Sequence, residues 1–546
     1  MTSKDLANVI FPDIDKTIED YEKMYPERNL GEGVKVTRVG PSPTGFMHIG
    51  TLMSATIDLT MAKNSGGIFY VRTEDTDRKR YVEGAEDLIF KTLETYGINP
   101  DEYEYNGKTK GEYGPYIQSE RKEIYHAFIK HLIEIGRAYP CFCSKEYLEK
   151  TSEIQRKDGL RTGYYGRYAK CRNLSIDDAI KKIKNGEEYV VRFRSSGNFN
   201  KKFPFNDLRL GKVDLPENDE DIVIMKSESR LPTYHLAHIV DDHLMRTTHV
   251  IRGEEWLPSV PKHIDLFKAF NFKVPKYFHT NLIVKQDGNS IRKLSKRKDP
   301  EALMSYYTEK GYPASAVIDS VMTIANTNFE EWRTNNPDKP FTEFPFSPKK
   351  MSSSGAFYDL GKLDNISKNI ISRMTKEEVF DGLDKYTKEY DKDFNKLINK
   401  YKDYTMSILN IEREQKKPRK DYVTFSDIKG KIWYMFDELY TDVKNYEYQL
   451  INEKEEINKL CTDYFTNYYD ESDDKDTWFN KIKDLSEKHG YAREVKEYKE
   501  KPDKYKGHVG DVSTVLRVAI TSQSMTPDLY EIMKLLGRER LLKRIK

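Results

Sequence analysis

The hydrophobic pattern near the start of the chain changes from the period of a strand to that of a helix and back again. From about residue 34, apolar and polar residues alternate for four positions, which predicts a short strand. A turn rich in proline and glycine comes next. It is followed by an apolar helical face that consists of Leu52, Ala55, Thr56 and Leu59. Gly66 and Gly67 end this helix, and the apolar run 68–71 predicts a second buried strand. This order predicts a βαβ unit with a parallel sheet.

Helical periodicity returns in later segments. The face formed by Ala85, Leu88, Ile89 and Leu93 predicts another helix, which Gly97 ends. The pattern is irregular from about residue 139 to 224, the sheet resumes near Thr233, and the chain is mostly helical after Glu301, with a polar turn at 351–355. Two late stripes predict buried helical faces: Leu450, Ile457, Leu460 and Tyr464, and then Leu529, Ile532, Met533 and Leu536. The segment 526–528 predicts the start of the last helix, with Pro527 in its first turn.

Composition restricts the class of protein without deciding it. The 546 residues predict several domains, and 91 Lys and Arg against 89 Asp and Glu leave almost no net charge. A nucleic-acid partner would therefore require a locally basic face. Four cysteines in so long a chain argue against a disulfide framework. No apolar run approaches the length of a membrane span, and the first residues contain no apolar stretch like the h-region of a signal peptide. We expect a cytoplasmic protein that does not associate with membranes.

The first segment with candidate chemistry is the turn 41–51, between the first strand and its helix. His48 and Gly50 fall where the helix begins, at the carboxyl end of the strand. Free main-chain N–H groups and the positive end of the helix dipole favour a phosphate there. A surface histidine in an ordinary turn is the competing interpretation.

The second such segment is a basic loop after a predicted hairpin. Strand signals on both sides of 286–289 predict the hairpin, and Lys293, Lys296, Arg297 and Lys298 follow at once. Basic runs are usually solvated. Two lysines on either side of a small polar turn can, however, close over phosphates, and together with His48 they can surround one triphosphate.

These two segments resemble a known family. His48-Ile49-Gly50-Thr51 is similar to the HIGH element, and Lys293-Leu294-Ser295-Lys296-Arg297 to the KMSKS loop, of class I aminoacyl-tRNA synthetases, and within that class of the glutamyl-tRNA synthetases. Thr51 stands in place of the final His, as in this subfamily. Further matching segments follow in the family's order: 72–77, 231–235, 240–242, 250–256, 516–521 and 527–530. The segment from about 376 to 505 matches only weakly.

The resemblance implies an α/β fold. A Rossmann-type parallel sheet with an inserted acceptor-binding domain is followed by mostly α-helical stem-contact and anticodon-binding domains. The expected boundaries are 1–33, an N-terminal extension; 34–138, the first catalytic half; 139–232, the inserted domain; 233–300, the second catalytic half; 301–376, the stem-contact domain; and 377–546, the anticodon-binding domain. In the extension, Ile10, Ile14 and Ile18 have helical spacing, and no role is assigned to it.

The implied reaction is the ATP-dependent activation of L-glutamate and its transfer to the 3′ end of tRNA-Glu. Catalytic roles fall on His48, Lys293, Lys296 and Arg297, and ATP binding on Gly50, Glu255, Trp256 and Lys296, with Mg²⁺ bridging the phosphates. The resemblance places glutamate binding on Arg38, Ser42, Glu74, Tyr234, His238 and Arg252. The two guanidinium groups suit the side-chain carboxylate. His238 occupies a position where relatives often have Asn, and Trp256 could equally be core. The acids 75 and 77 are expected to be structural.

Two further expectations come from the resemblance. Some family members bind zinc in the insertion through Cys-x-Cys, a Tyr and a later Cys. Cys141, Cys143 and Cys171 match in part, but Arg167 stands where the Tyr should be, and Tyr164, Tyr165 and Tyr168 are substitutes. Buried free thiols are the alternative, and Cys461 is expected to be core. In the C-terminal domain, Arg517 is the candidate for contact with tRNA. A monomer is expected.

Three other functions are weighed against this one. A glutaminyl-tRNA synthetase would typically have Pro-Glu-Pro-Asn at 41–44 and β-barrel anticodon domains, whereas this C-terminal third is predicted to be helical. A truncated relative that modifies tRNA would lack that third. A non-catalytic RNA-binding paralogue would have lost His48 or Lys296. Charging of tRNA-Gln in addition to tRNA-Glu stays open.

Overall fold

The computed structural model of the chain describes residues 1–351, 356–441 and 451–545. Most of the polar turn predicted at 351–355, and Leu450 of the predicted stripe, lie outside these residues. The described chain forms two compact units. One comprises Met1–Tyr306 with Val317–Asp359, and the other Tyr307–Ala316 with Leu360–Lys546.

Strands and helices alternate through the first unit, and helices alone make up most of the second. The strands are β1 (Val36–Val39), β2 (Ile68–Val71), β3 (Tyr103–Tyr105), β4 (Lys108–Lys110), β5 (Ala138–Cys141), β6 (Val190–Phe193), β7 (Lys202–Asp207), β8 (Gly211–Pro216), β9 (Val223–Met225), β10 (His249–Gly253), β11 (Lys276–Thr280), β12 (Ile283–Asp287), β13 (Ser290–Lys293) and β14 (Ala356–Phe357). The helices up to residue 335 are α1 (Ser3–Ile10), α2 (Ile18–Met24), α3 (Ile49–Lys63), α4 (Ala85–Thr95), α5 (Lys122–Glu134), α6 (Lys145–Lys157), α7 (Ile176–Lys184), α8 (Tyr234–Leu244), α9 (Val260–Ala269), α10 (Met304–Lys310), α11 (Ala314–Ala325) and α12 (Phe329–Asn335). The later helices are α13 (Leu360–Arg373), α14 (Lys376–Tyr390), α15 (Lys392–Lys400), α16 (Lys402–Asn410), α17 (Phe425–Ile432), α18 (Lys454–Asp463), α19 (Lys475–Lys488), α20 (Val495–Glu500), α21 (Val509–Thr521) and α22 (Leu529–Arg544).

The predicted βαβ unit is confirmed. β1 and β2 pair in parallel from Val36 opposite Ile68, and α3 connects them. The four residues of the predicted helical face are buried. Thr248, just before β10, donates its main-chain N–H to the carbonyl of Val36, so β10 lies on the other side of β1. Two residues further along β1, Arg38 reaches the carbonyl of Ile251 in β10, so the two strands run in the same direction. Their carboxyl ends thus lie on the same side of the sheet, which is where open α/β sheets bind their ligands.

The sheet continues through strands that the sequence left unassigned. Its order is β10-β11-β7-β8, with β11 parallel to both β10 and β7. The hairpin β7–β8 comes from the segment predicted as the inserted domain, but Asp207 at the end of β7 pairs with Tyr277 of β11. The residues of this hairpin thus extend the catalytic sheet.

The N-terminal extension differs from one continuous helix. α1 and α2 are separate, each with a capping box at its start, at Thr2 and at Thr17. Pro12 lies two residues beyond the end of α1, as is common after a helix. Leu6, Ala7 and Ile10 join the main core of the first unit. Arg28 then forms a two-point ion pair with Glu102 at 2.7 and 2.8 Å. The extension is thus part of the folded unit.

The second unit is helical, as predicted, and has its own core. One detail of its last helix differs from the prediction. α22 begins after the N-cap Asp528, so Pro527 precedes the helix rather than lying in its first turn. Within α22, Gly537 forms a kink, with a φ of 71° and a ψ of 162° that lie outside the helical region. The predicted face, Leu529, Ile532, Met533 and Leu536, is buried. In the described part of the chain, no helix combines the length and apolarity needed to cross a bilayer.

Candidate active site

A cavity of about 810 Å³ opens in the first unit at the carboxyl ends of β1, β10 and β11. It brings together most of the residues that the sequence nominated. Those that line it are Arg38, Ser42, Gly50, His48, Glu74, Tyr234, Arg252, Glu255, Trp256, Lys293 and Lys296. Cavities of this size hold small ligands and cofactors. Two nominated residues, His238 and Arg297, are not among its described lining.

His48 is the N-cap of α3. Its Nδ1 accepts a hydrogen bond of 2.9 Å from the main-chain N–H of Gly50. Nδ1 therefore carries a lone pair and the ring proton sits on Nε2. Burial, together with the nearby Lys296 and Lys293, lowers the pKa of His48 to about 4. At neutral pH this side chain is thus an uncharged donor at the positive end of a helix.

The basic loop follows the predicted hairpin, which the structure confirms as antiparallel β12 and β13. Lys296 donates to the main-chain carbonyl of Phe46, and burial lowers its pKa. Lys293 forms an ion pair of 3.3 Å with Glu255. Asp299 accepts from the N–H of Ser295 at 2.8 Å and so fixes the start of the loop. Arg297 is exposed, and its catalytic role stays a prediction.

Arg38 lies in a buried network of alternating charge. Its Nε donates to both carboxylate oxygens of Asp242, at 3.1 and 3.2 Å. Arg72 donates to the same carboxylate at 2.6 Å and to Glu74 at 2.9 Å. Glu74 in turn packs over Gly40, where a Cβ atom would come within 2.3 Å of its Oε1. The positive charge of Arg38 is therefore already compensated within the protein.

Arg252 has a different environment. It is 6% exposed, and its Nε donates to Nε2 of His279 at 3.1 Å. The other donors reach the hydroxyl of Tyr234 at 3.3 Å and Nδ1 of His263 at 3.2 Å. The pKa of both histidines is lowered, mainly because they are buried, so these two partners are neutral. Among the described residues, no carboxylate lies within ion-pair distance of this guanidinium. A buried cation without a counterion strongly favours an anionic ligand.

His238 lies behind the cavity wall. Its ring stacks on that of Tyr234, with centroids 5.5 Å apart, and its Nε2 lies 2.8 Å from the hydroxyl of Tyr277. Its Nδ1 is 2.7 Å from Asp242. In this position His238 supports Tyr234, and its direct contact with glutamate stays a prediction. The ring of Trp256 also contacts Tyr234, at 4.3 Å between centroids, and Trp256 does line the cavity.

Sequence reasoning gave no role to several residues that shape the site. Arg72, Asp241 and Asp242 lie in segments that matched the family, and these matches were the available signal. Asp241 accepts from Arg121 at 2.7 Å and from Tyr125 at 2.7 Å. Asp75 was expected to be structural, and it accepts the N–H of Ser119 at 2.8 Å. His279 and Asp207 carried no sequence signal.

The three predicted zinc ligands meet in the first unit. The sulfur atoms of Cys141, Cys143 and Cys171 all lie within 4.8 Å of one another, and those of Cys143 and Cys171 are 3.6 Å apart. Of the three candidate tyrosines, Tyr164 is the one that reaches them, with its hydroxyl 3.3 Å from the sulfurs of both Cys141 and Cys143. Hydrogen bonds from the neighbouring thiols lower the pKa of Cys141. Cys461 is buried in α18, as expected.

Arg517 belongs to α21 in the second unit. Its Nη1 donates to the carbonyl and the hydroxyl of Thr526, at 3.2 and 3.1 Å. Its side chain also lines a cavity of about 440 Å³, together with Arg419, Trp478 and Phe479. Cations next to aromatic rings are a common setting for unstacked bases. The bonds from Arg517 to Thr526 also join α21 to the turn before α22.

This chain is similar to known proteins in its family domains, in its full-length sequence and in its fold. Residues 34–335 match the family described as tRNA synthetases class I (E and Q), catalytic domain, and residues 419–546 match an anticodon binding domain. A glutamate–tRNA ligase of Acetivibrio thermocellus is 47% identical over 547 residues, which span 100% of this chain and 99% of the relative. A glutamate–tRNA ligase of Clostridium perfringens strain 13 is 47% identical over 548 residues, which span 100% of both.

Two solved structures resemble the described fold over nearly its whole length. A glutamate tRNA ligase from Elizabethkingia meningosepticum, crystallised in complex with its amino acid, is 25% identical with a TM-score of 0.73, over 94% of this chain and 98% of that one. A glutamate-tRNA synthetase from Elizabethkingia anophelis is 26% identical with a TM-score of 0.72, over the same shares of the two chains.

Proposed function

Because this chain belongs to the glutamate–tRNA ligases of the class I tRNA synthetase family, we propose that its 810 Å³ cavity is where L-glutamate and ATP react. In the first step, the α-carboxylate of glutamate attacks the α-phosphorus of ATP and pyrophosphate leaves. In the second step, the 2′-hydroxyl of the terminal tRNA ribose attacks the glutamyl carbonyl and AMP leaves. Neither step needs a covalent bond to the protein, so position and charge carry catalysis.

The phosphate end of the cavity is formed by His48, Gly50, Lys293 and Lys296. His48 offers a neutral Nε2–H to the developing charge, and Lys296 offers an ammonium from the opposite side. Mg²⁺, which we expect to accompany ATP, would neutralise part of the phosphate charge at this end of the cavity.

The assignment of the other end of the cavity to glutamate rests on a single observation, which is that the guanidinium of Arg252 has no counterion among the described residues. It is the group that we assign to the side-chain carboxylate of the substrate, with Tyr234 as a neighbouring wall. Arg38, paired with Asp242, contributes shape and field rather than a free charge. Glu74 and Ser42 lie on the same lining and suit the α-amino group.

The test compares Arg252→Ala with Arg80→Ala, which removes another cation from the same cavity lining. In tRNA-dependent pyrophosphate exchange, Arg252→Ala should raise the glutamate KM by roughly 100-fold and leave the ATP KM unchanged. Arg80→Ala should leave the glutamate KM near that of the wild type. Equal effects of the two substitutions on the glutamate KM would remove Arg252 from the substrate site.

The thiol cluster suits zinc. Two thiolates on one tetrahedral Zn²⁺ lie about 3.8 Å apart, given Zn–S bonds of about 2.3 Å, and the sulfurs of Cys143 and Cys171 are 3.6 Å apart. Cys141 and the Tyr164 oxygen complete four donors. We assign this group a structural zinc that ties β5 to the segment at 164–171.

The second unit should hold the anticodon. Residues 419–546 match an anticodon binding domain, and the cavity beside Arg517 has the cations and rings that an unstacked base requires. We expect the protein to act as a cytoplasmic monomer on tRNA-Glu. An aminoacylation assay with purified tRNA-Glu and tRNA-Gln decides whether it also charges tRNA-Gln.

A further inference from the structure

The contacts behind Arg252 form a short relay. Arg252 and His279 lie opposite each other in the parallel pair β10–β11, and Nε of Arg252 donates to Nε2 of His279 at 3.1 Å. On its other side, Nδ1 of His279 donates to Oδ2 of Asp207 at 2.7 Å. Since a carboxylate can only accept, Nδ1 carries the proton and Nε2 presents a lone pair to the guanidinium.

Asp207 is itself fixed by the main chain. Its Oδ2 also accepts the main-chain N–H of His279 at 3.1 Å, and its Oδ1 accepts those of Arg209 and Leu210 at 2.9 and 3.0 Å. Arg209 donates back to the carbonyl of His279 at 2.6 Å. The side chains of Asp207 and His279 are both fully enclosed. The orientation of the imidazole is thus determined before any ligand arrives.

The chemical effect follows from comparison with Arg38. A carboxylate in the place of His279 would pair with Arg252 as Asp242 pairs with Arg38, and it would compete with an anionic substrate. A neutral imidazole orients the guanidinium and leaves its charge available. We propose that Asp207 and His279 are positioning residues, which hold Arg252 aligned and without a counterion so that the cavity selects an amino acid with a side-chain carboxylate. This proposal rests on the assignment of Arg252 to that carboxylate.

Two substitutions at one position separate orientation from charge. His279→Gln places a neutral acceptor near the position that Nε2 of His279 occupies. The side chain in His279→Glu has nearly the same shape as that in His279→Gln, but it adds a negative charge beside Arg252. In tRNA-dependent pyrophosphate exchange, His279→Gln should change the glutamate KM by less than about threefold. His279→Glu should raise it by about 100-fold while the ATP KM stays unchanged.

The buried carboxylate that His279→Glu introduces could prevent folding, and thermal denaturation would show this. Asp207→Asn tests the same proposal without an added charge. It preserves the volume of the side chain but no longer fixes the imidazole tautomer, so the glutamate KM should rise about tenfold without a change in the ATP KM.

The outcomes separate the two levels of the argument. The positioning proposal is overturned if the Gln and Glu variants raise the glutamate KM equally, or if folded His279→Glu or Asp207→Asn leaves it at the wild-type value. Arg252→Ala is measured in parallel. If that variant itself has a normal glutamate KM, the assignment of Arg252 to the substrate fails. If it is impaired while the other variants are not, only the positioning role fails.

Discussion

The ammonium group of Lys296 donates a hydrogen bond of 2.8 Å to the main-chain carbonyl of Phe46, which lies 250 residues earlier in the chain. Phe46 is two residues before His48, so this bond joins the two segments to which we assign phosphate binding. The N–H of Met304, the first residue of α10, also donates to the carbonyl of Met47, so the segment after the basic loop is fastened to the same turn. An ammonium that rests on a carbonyl can move to a phosphate oxygen at little cost.

Lys296→Ala should leave the fold intact and lower the rate of glutamyl-adenylate formation by about two to three orders of magnitude, because it removes a cation that stabilises the transition state. Tm and tRNA-dependent pyrophosphate exchange are the measurements. Lys298→Ala removes an exposed charge from the same basic run and should be nearly as active as the wild type. Normal exchange by the Lys296 variant would exclude the phosphate role.

Zinc binding predicts a metal content of about one ion per chain, measured by mass spectrometry of the purified protein. Cys143→Ser should lose the ion and lower the Tm, and Tyr164→Phe should weaken its retention during dialysis against a chelator. Cys461→Ser removes the buried thiol of α18 and should retain the metal. A wild-type protein without zinc after expression in zinc-supplemented medium would contradict the assignment.

Base recognition by Arg517 predicts that Arg517→Ala reduces charging of tRNA-Glu about tenfold or more, because a charged hydrogen bond to a base is lost. The loss should shrink on transcripts with altered anticodon bases. Arg538→Ala removes one exposed charge from the same unit and should act equally on all transcripts. If Arg517→Ala charges every transcript as the wild type does, its contact with Thr526 is its whole role.

Buried histidines predict that the first unit loses stability in mild acid. Burial lowers the pKa of His48, His126, His235 and His249 to about 4, and that of His238 to about 3. In the unfolded chain these groups titrate near 6.5. Above that pH both states are neutral, whereas between about pH 6.5 and 4 the unfolded state binds more protons, so the free energy of unfolding falls as the pH falls.

Calorimetry should therefore show the Tm of the first unit dropping by roughly 5 °C or more between pH 7.5 and pH 5.0. His249→Gln removes one of these groups and should make the dependence shallower. A Tm that is constant over this range would show that the folded protein takes up protons at these sites as readily as the unfolded chain.

The elements that could be predicted from the sequence are those determined by residues close to one another in the chain. The helical face of α3, the strand at 68–71 and the hairpin before Lys293 are set by neighbouring residues, and each was predicted. The extension was less clear, because the spacing of Ile10, Ile14 and Ile18 suggested one helix. Pro12 and the capping box at Thr17 were local signals that divide it in two.

The sequence by itself determined the family segments, the helix start at His48 and many of the residues that meet in the cavity. The family resemblance gave Arg38 and Arg252 the same role, because both match arginines of the family and a guanidinium suits a carboxylate. Only the tertiary structure distinguished them, because Asp242 lies 204 residues from Arg38 in the chain and no local pattern pairs the two. The same holds for His279 and Asp207. Whether a buried charge is compensated depends on contacts between distant segments, and those exist only in the folded chain.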